Sequence, residues 1–169
     1  RFLEFAVFAR DRRALWQLSR ESIDYLAEQA GETVGLVALE NDHAVHLYQA
    51  RGNTMVRTSS SIGERQLLHQ SASGKAILAS LPDAEVRDIV DKYGLPPRSK
   101  YSITDEERLF EELAQVREDG YAVSREESTE GMNAIGAAIH DGDGDPVGGV
   151  SIVGPAHRLK VDGDHDDFP

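Results

Sequence analysis

The 169-residue chain has no cysteine, so it holds no disulfide framework and offers no thiolate for catalysis or zinc. That absence suits a reducing cytoplasm, the expected location. Lysine is scarce, occurring only at 75, 92, 100 and 160, and the remaining bases are arginines. Eighteen bases stand against 30 acids, for a formal net charge of −12. A negative field of that size repels phosphate backbones, which are gripped by clustered Lys and Arg; this segment is not expected to hold nucleic acid itself. Acid-rich, lysine-poor surfaces stay soluble where salt screens their self-repulsion, which makes a salt-accumulating cytoplasm an expectation. No apolar run approaches the roughly 20 residues of a membrane span, and no membrane partner is expected. The opening Arg1-Phe2-Leu3 leads into a helical pattern with no leader-like apolar segment, so a piece of a longer protein is expected.

What is present is a core. Forty per cent of the residues are hydrophobic, enough for one domain of this length to fold around its own interior. After an apolar patch at Leu3–Phe8, "RDRRALWQLSRESIDYLAEQAG" reads as a helix, with Leu15, Leu18, Ser22, Leu26 and Ala30 at three- and four-residue steps and Gly31 closing it. Three strand-like runs follow: "TVGLVALE", "AVHLYQA" and "TMVRTS". The Asn41-Asp42 turn makes the first two a hairpin. Three helices are expected next: one over 72–80, one from Asp83 to Tyr93, and one in "DEERLFEELAQVRED". The last carries a Thr104/Glu107 capping box and a Leu109, Leu113, Val116 stripe. The stretch 97–104 is a loop. "GYAVSRE", "NAIGAAIHD" and "PVGGVSIVGP" return to strand, with a turn at 142–145. The order implies an α+β fold with a mostly antiparallel sheet of about six strands and helices packed on it.

"LLHQSASGKAILASL" holds a Gly-Lys pair before a helix. A P-loop needs G-x-x-x-x-G-K-[ST], but position 69 is His and Lys75 precedes Ala76, which removes both the turn and the metal-binding hydroxyl. Ser71 or Ser73 capping a helix is the plainer reading, and backbone N–H groups at such an end favour a small carboxylate. No metal is expected: His43 and His46 alternate to opposite faces of a strand, and Asp141, Asp143 and Asp145 lack the register of a calcium loop. Glu126 and Glu127 are expected to be solvated rather than catalytic, and the serines lack a G-x-S-x-G elbow. No cofactor is expected, and no motif in the chain supports an enzyme.

Three ordered blocks resemble one family. "LWQLSRESIDYLAEQAGETVGL", "GERQLLHQSASGKAILASLP" and "LAQVREDGYAVSREESTEGMNAIGAAIHDGDGDPVGGVSIVGPAHRL" are similar to the effector-binding domain of IclR-type transcription regulators, across nearly the whole chain. The resemblance implies a GAF-like domain that senses a small-molecule effector, a carboxylate, and self-associates to a dimer or tetramer. Operator DNA would be reached only through the family's N-terminal winged helix, which these residues do not include. Residues 1–12 would be the end of a linker helix and 13–169 the effector domain, without the family's C-terminal helix. Carried over position by position, the pocket falls on Met55, Ala72, Ser73, Ser124, Met132, Ala134, Ser151 and Val153.

Three residues depart from the family pattern. Ser124 stands where keto-acid binders tend to carry an acid, Val153 where serine is frequent, and Leu67 where proline is usual. The first two imply a roomier, less polar pocket for a larger or partly aromatic ligand, and the third a looser loop. A ligand-free oligomerisation module, and less readily an enzyme acting on a small carboxylated or phosphorylated metabolite, are the rival readings.

Overall fold

The computed structural model describes residues 2–53 and 61–161, with side chains from residue 14 onward. Helix α1 runs unbroken from Phe2 to Ala30, through the expected linker boundary, and Gly31 ends it with φ 68°. Strands β1 (Thr33–Glu40) and β2 (His43–Arg51) form a hairpin whose turn residues Asn41 and Asp42 both take positive φ, as a two-residue primed turn requires. A short strand β3 (Arg65–Leu67) follows. The strand expected at 54–59, including Met55, lies outside the described residues; β3 forms within a stretch expected to be loop. Leu67, with φ −65° and ψ 139°, holds the conformation that proline would impose, so its departure from the pattern leaves the backbone path intact.

Helices α2 (Ala72–Ala79), α3 (Asp83–Tyr93) and α4 (Glu106–Asp119) lead to β4 (Ala122–Arg125), β5 (Met132–His140) and β6 (Pro146–Pro155). The N-cap of α4 is Asp105, whose carboxylate accepts the Arg108 N–H at 2.9 Å; the expected Thr104 box does not form, because the stronger cap one residue later starts the helix. Asp141 organises the β5–β6 turn by accepting the N–H groups of Asp143 and Asp145, both at 3.0 Å. That occupies the carboxylate which a calcium loop would need.

The sheet order is β3-β2-β1-β6-β5-β4, with every pair antiparallel. Strand alternation sorts the side chains onto two covered faces. Val34, Leu36, Val150 and Ile152 pack under Ile23 and Ala27 of α1. Val37, Ala44 and Ala122 pack under Ile77 and Leu78 of α2 and Leu109 and Leu113 of α4. The buried stripe of α1 is thus Leu15, Ile23, Leu26 and Ala27, whereas Leu18 is 83% exposed and Ser22 and Ala30 also face out. The helical period was legible, but its phase was set by the sheet that α1 covers.

Candidate functional site

Between the α2 face of the sheet and the start of α2 lies a cavity of about 140 Å³. Ser71, extended at φ −145° and ψ 158°, accepts the Gly74 N–H on its hydroxyl at 3.1 Å and the Lys75 N–H on its carbonyl at 2.8 Å. Ala72 and Ser73 are the first two residues of the helix, so their N–H groups have no partner within it. Both residues line the cavity.

Seven of the eight expected site residues share this one wall: Ala72, Ser73, Ser124, Met132, Ala134, Ser151 and Val153. Met55 falls outside the described residues. The geometry adds Thr33, Gly35, His46, Gln49, Gln66, Ser71, Ser128 and Thr129. Thr33 and Gly35 follow from alternation in β1, opposite in sense to Val34 and Leu36. His46 and Gln49, three apart, could share a face only through an irregularity. The β1–β2 register supplies it: Leu36 pairs with Tyr48 and Val37 with His46, leaving Leu47 as the extra residue of a β-bulge. No period-two reading reveals that.

A roomier, less polar pocket was expected; the lining that forms mixes apolar surface with uncharged polar groups. About 140 Å³ matches a single-ring ligand, since an engineered cavity of about 150 Å³ holds benzene. Where Ser124 and Val153 remove polarity, His46, Gln49, Gln66 and the Ser and Thr hydroxyls restore it without charge. Among the described lining residues no Asp, Glu, Lys or Arg occurs.

The Gly-Lys pair has a structural cause. A Cβ on Gly74 would lie 2.1 Å from the Leu68 carbonyl oxygen, so only glycine lets the helix start against that turn. Lys75 is fully buried, its Nζ 2.8 Å from Glu112 and 2.9 Å from each oxygen of Glu127. An amine committed in this way is closed to a phosphate. Glu127, expected to be solvated, is 6% exposed; it leaves the surface because Lys75 waits inside. Burial pushes its carboxyl above the usual range, and Lys75 only partly reverses this. Glu126 is half-buried at φ 59°, and its carboxylate accepts the Gly131 N–H.

Two histidines are held below their usual pKa of 6.5 by burial: His46, and His69 despite its hydrogen bond to the Pro96 carbonyl. A depressed folded pKa means that the unfolded chain takes up protons first. Stability is therefore expected to be level from pH 8 to 7 and to fall as pH drops below 6.5, until the folded histidines also protonate. Glu127, raised in the folded state, opposes this at lower pH. Urea midpoints across pH 8 to 5 check it, and His69→Gln is expected to remove part of the slope.

A family model described as "Bacterial transcriptional regulator IclR C-terminal" matches residues 7–168. The probable HTH-type transcriptional regulator ArcR of Halobacterium salinarum is 35% identical over 162 residues, 94% of this chain but 62% of ArcR. The crystal structure of Thermotoga maritima IclR superposes with a TM-score of 0.84 at 31% identity, covering 92% of this chain and 63% of that one. The inducer-binding domain of the PobR transcription factor from Acinetobacter, a double mutant in complex with 3-hydroxybenzoic acid, shares the fold at a TM-score of 0.77 and 24% identity, over 85% of each chain. This chain thus spans about three-fifths of ArcR and of the Thermotoga protein. With its sheet order, its covered faces and the cavity at the start of α2, the chain belongs to the IclR family of bacterial transcriptional regulators, as a C-terminal domain.

Proposed function

We propose that this domain senses a small organic acid and thereby controls transcription by the regulator of which it is part. The observation that carries the reading is the pair of N–H groups at Ala72 and Ser73, without helix partners, on the wall of a benzene-sized, uncharged cavity. There a single carboxylate gains charge-assisted hydrogen bonds and the favourable end of a helix dipole. The ligand is held and not turned over: His46, the sole titratable side chain among the described lining residues, meets the Gln66 amide rather than a hydroxyl it could activate.

Strand β1 lies between cavity and helix, with Thr33 and Gly35 on one side and Val34 and Leu36 against α1 on the other. Occupancy shifts the balance between arrangements only by its differential affinity for them, and α1 would carry that shift toward the DNA-reading part of the full-length regulator. Self-association to a dimer or tetramer would set the spacing of two such parts, in the cytoplasm.

A melting screen with two- to seven-carbon organic acids tests the reading. A ligand at 100 times its Kd adds about 2.7 kcal/mol, which raises Tm by roughly 5–10 °C for a domain of this size. Gly35→Ala is the control. Its Cβ meets nothing closer than Ser151 Oγ at 3.8 Å, so the fold is kept while the cavity shrinks and the shift should diminish. No stabilising acid across the panel would leave an empty oligomerisation module instead.

A further inference from the structure

Three neutral side chains on the β2–β3 side of the cavity are not among the expected pocket positions: His46, Gln49 and Gln66. The Gln66 amide is fixed in one sense. Its Nε2 donates to the Gln70 carbonyl at 3.2 Å, a group that can only accept, and to Ser128 Oγ at 3.3 Å. Oε1 is therefore its acceptor end. His46 Nε2 lies 3.4 Å from that oxygen and must carry the hydrogen, which makes Nδ1 the acceptor of the neutral ring.

Burial favours that neutral ring. The Gln66 hydrogen bond and Glu64 pull its pKa up and Arg98 pulls it down, while Glu64 and Arg98 balance each other at 3.7 Å. The separation between His46 and Gln66 is long for a hydrogen bond, so a ligand group can compete for both partners.

Building on the sensor reading above, we infer that His46 and Gln66 read the second end of the effector, and that this end is an uncharged hydrogen-bond donor, a hydroxyl or a carboxamide. A second carboxylate there would meet the Gln66 Oε1 acceptor and a single donor, the His46 Nε2–H. One neutral hydrogen bond leaves most of its lost hydration unrepaid, and among the described lining residues no cation occurs. The effector class is thus a monocarboxylate of one ring or a short chain, bearing a hydroxyl or amide away from the acid.

Calorimetric titration of the 169-residue chain at pH 7.5 with two matched series tests this. One series is succinamate, succinate and butyrate; the other is 3-hydroxybenzoate, benzene-1,3-dicarboxylate and benzoate. In a series that binds, the hydroxy or amide acid is expected to bind about 5- to 10-fold tighter than the unsubstituted acid, the worth of one hydrogen bond. The diacid should be at least ~100-fold weaker than the hydroxy or amide acid.

Gln66→Leu should bring the hydroxy or amide acid down to the level of the unsubstituted acid measured on the same variant. Gln66→Lys, still able to donate to the Gln70 carbonyl, should invert the preference toward the diacid. A diacid that binds the parent chain as tightly as its hydroxy or amide partner overturns the inference. So does a hydroxyl or amide that adds nothing over the plain acid. In both cases the sensor reading survives, because plain acids still bind. If none of the six binds although another acid of the melting panel does, this inference falls and the sensor reading stands; if no acid binds at all, both fall.

Discussion

Lys75→Met is expected to lower folding stability by about 3–5 kcal/mol, the cost of breaking a buried ion pair by removing one partner. The Lys75 side chain is 0% exposed, that of Glu127 only 8%, while Glu112 keeps 27% of its surface. Methionine matches the length of the lysine stem, so packing is roughly conserved and the loss is electrostatic. Most of it falls on Glu127, which keeps the Arg125 N–H at 3.2 Å as a hydrogen-bond donor but loses its cation. Glu112 can turn to water.

Two further outcomes separate this from a packing defect. Burial already pushes the Glu127 carboxyl upward, so without Lys75 it protonates more readily, and the deficit should shrink as pH is lowered from 8 to 5. Lys75→Met combined with Glu127→Leu removes both charges and should recover most of the loss, as replaced buried pairs commonly do. Urea denaturation of the single and double variants measures this. A single variant within about 1 kcal/mol of the parent would show that the pair matters little. Ser128 and Thr129 follow Glu127 directly and line the cavity, so the single variant should also weaken any acid that the parent binds.

Gly136→Ala should cost about 3 kcal/mol, at the upper end of what overpacking produces, and should abolish ligand-induced stabilisation. Gly136 sits in β5 beneath the first turn of α2. An added Cβ would come within 2.4 Å of the Ser73 nitrogen, 2.5 Å of the Ala72 carbonyl carbon and 2.9 Å of its oxygen. All three are backbone atoms, so no rotamer change relieves the clash and the helix start must move off the sheet. Alanine's advantage over glycine in an ordered strand, about 0.5–1 kcal/mol, offsets only part of this. The displaced residues carry the two N–H groups proposed to hold the carboxylate, so stability and binding should fail together. Thermal melts with and without a stabilising acid read both effects. Gly142→Ala, in the β5–β6 turn with nothing within 4 Å of its added Cβ, is the matched control and should change stability by no more than about 0.5 kcal/mol. A Gly136→Ala variant melting with the parent would mean that α2 does not rest on β5 as closely as the structure places it.

Local pattern carried much of the architecture. The strand-like runs "TVGLVALE" and "PVGGVSIVGP", the two-residue turn at Asn41-Asp42, and the Leu109-Leu113-Val116 stripe each map onto the strand, hairpin or buried face that formed, because each depends on residues a few positions apart. A serine cap for α2, Ser71 or Ser73, was legible for the same reason, and the structure selects Ser71. The pocket positions carried over from the family resemblance, Met55 aside, converge on one cavity, since those motifs record where the chain must fold close.

The sequence by itself determined the layering, the strand order within each hairpin and the failure of the Gly-Lys pair as a P-loop, because turns, periods and motif spacing are short-range. Only the tertiary structure decided which stripe of α1 is buried, why Lys75 is there and which groups complete the cavity. The phase of α1 depends on a sheet made of residues up to position 155. Lys75 and Glu127 are 52 residues apart and are matched only when α2 lies against the segment after β4. His46 and Gln49 come to one wall through a bulge that exists only as a mismatch between two strands. Each of these depends on a partner distant in the chain, and a single sequence shows the residues without showing which of them will meet.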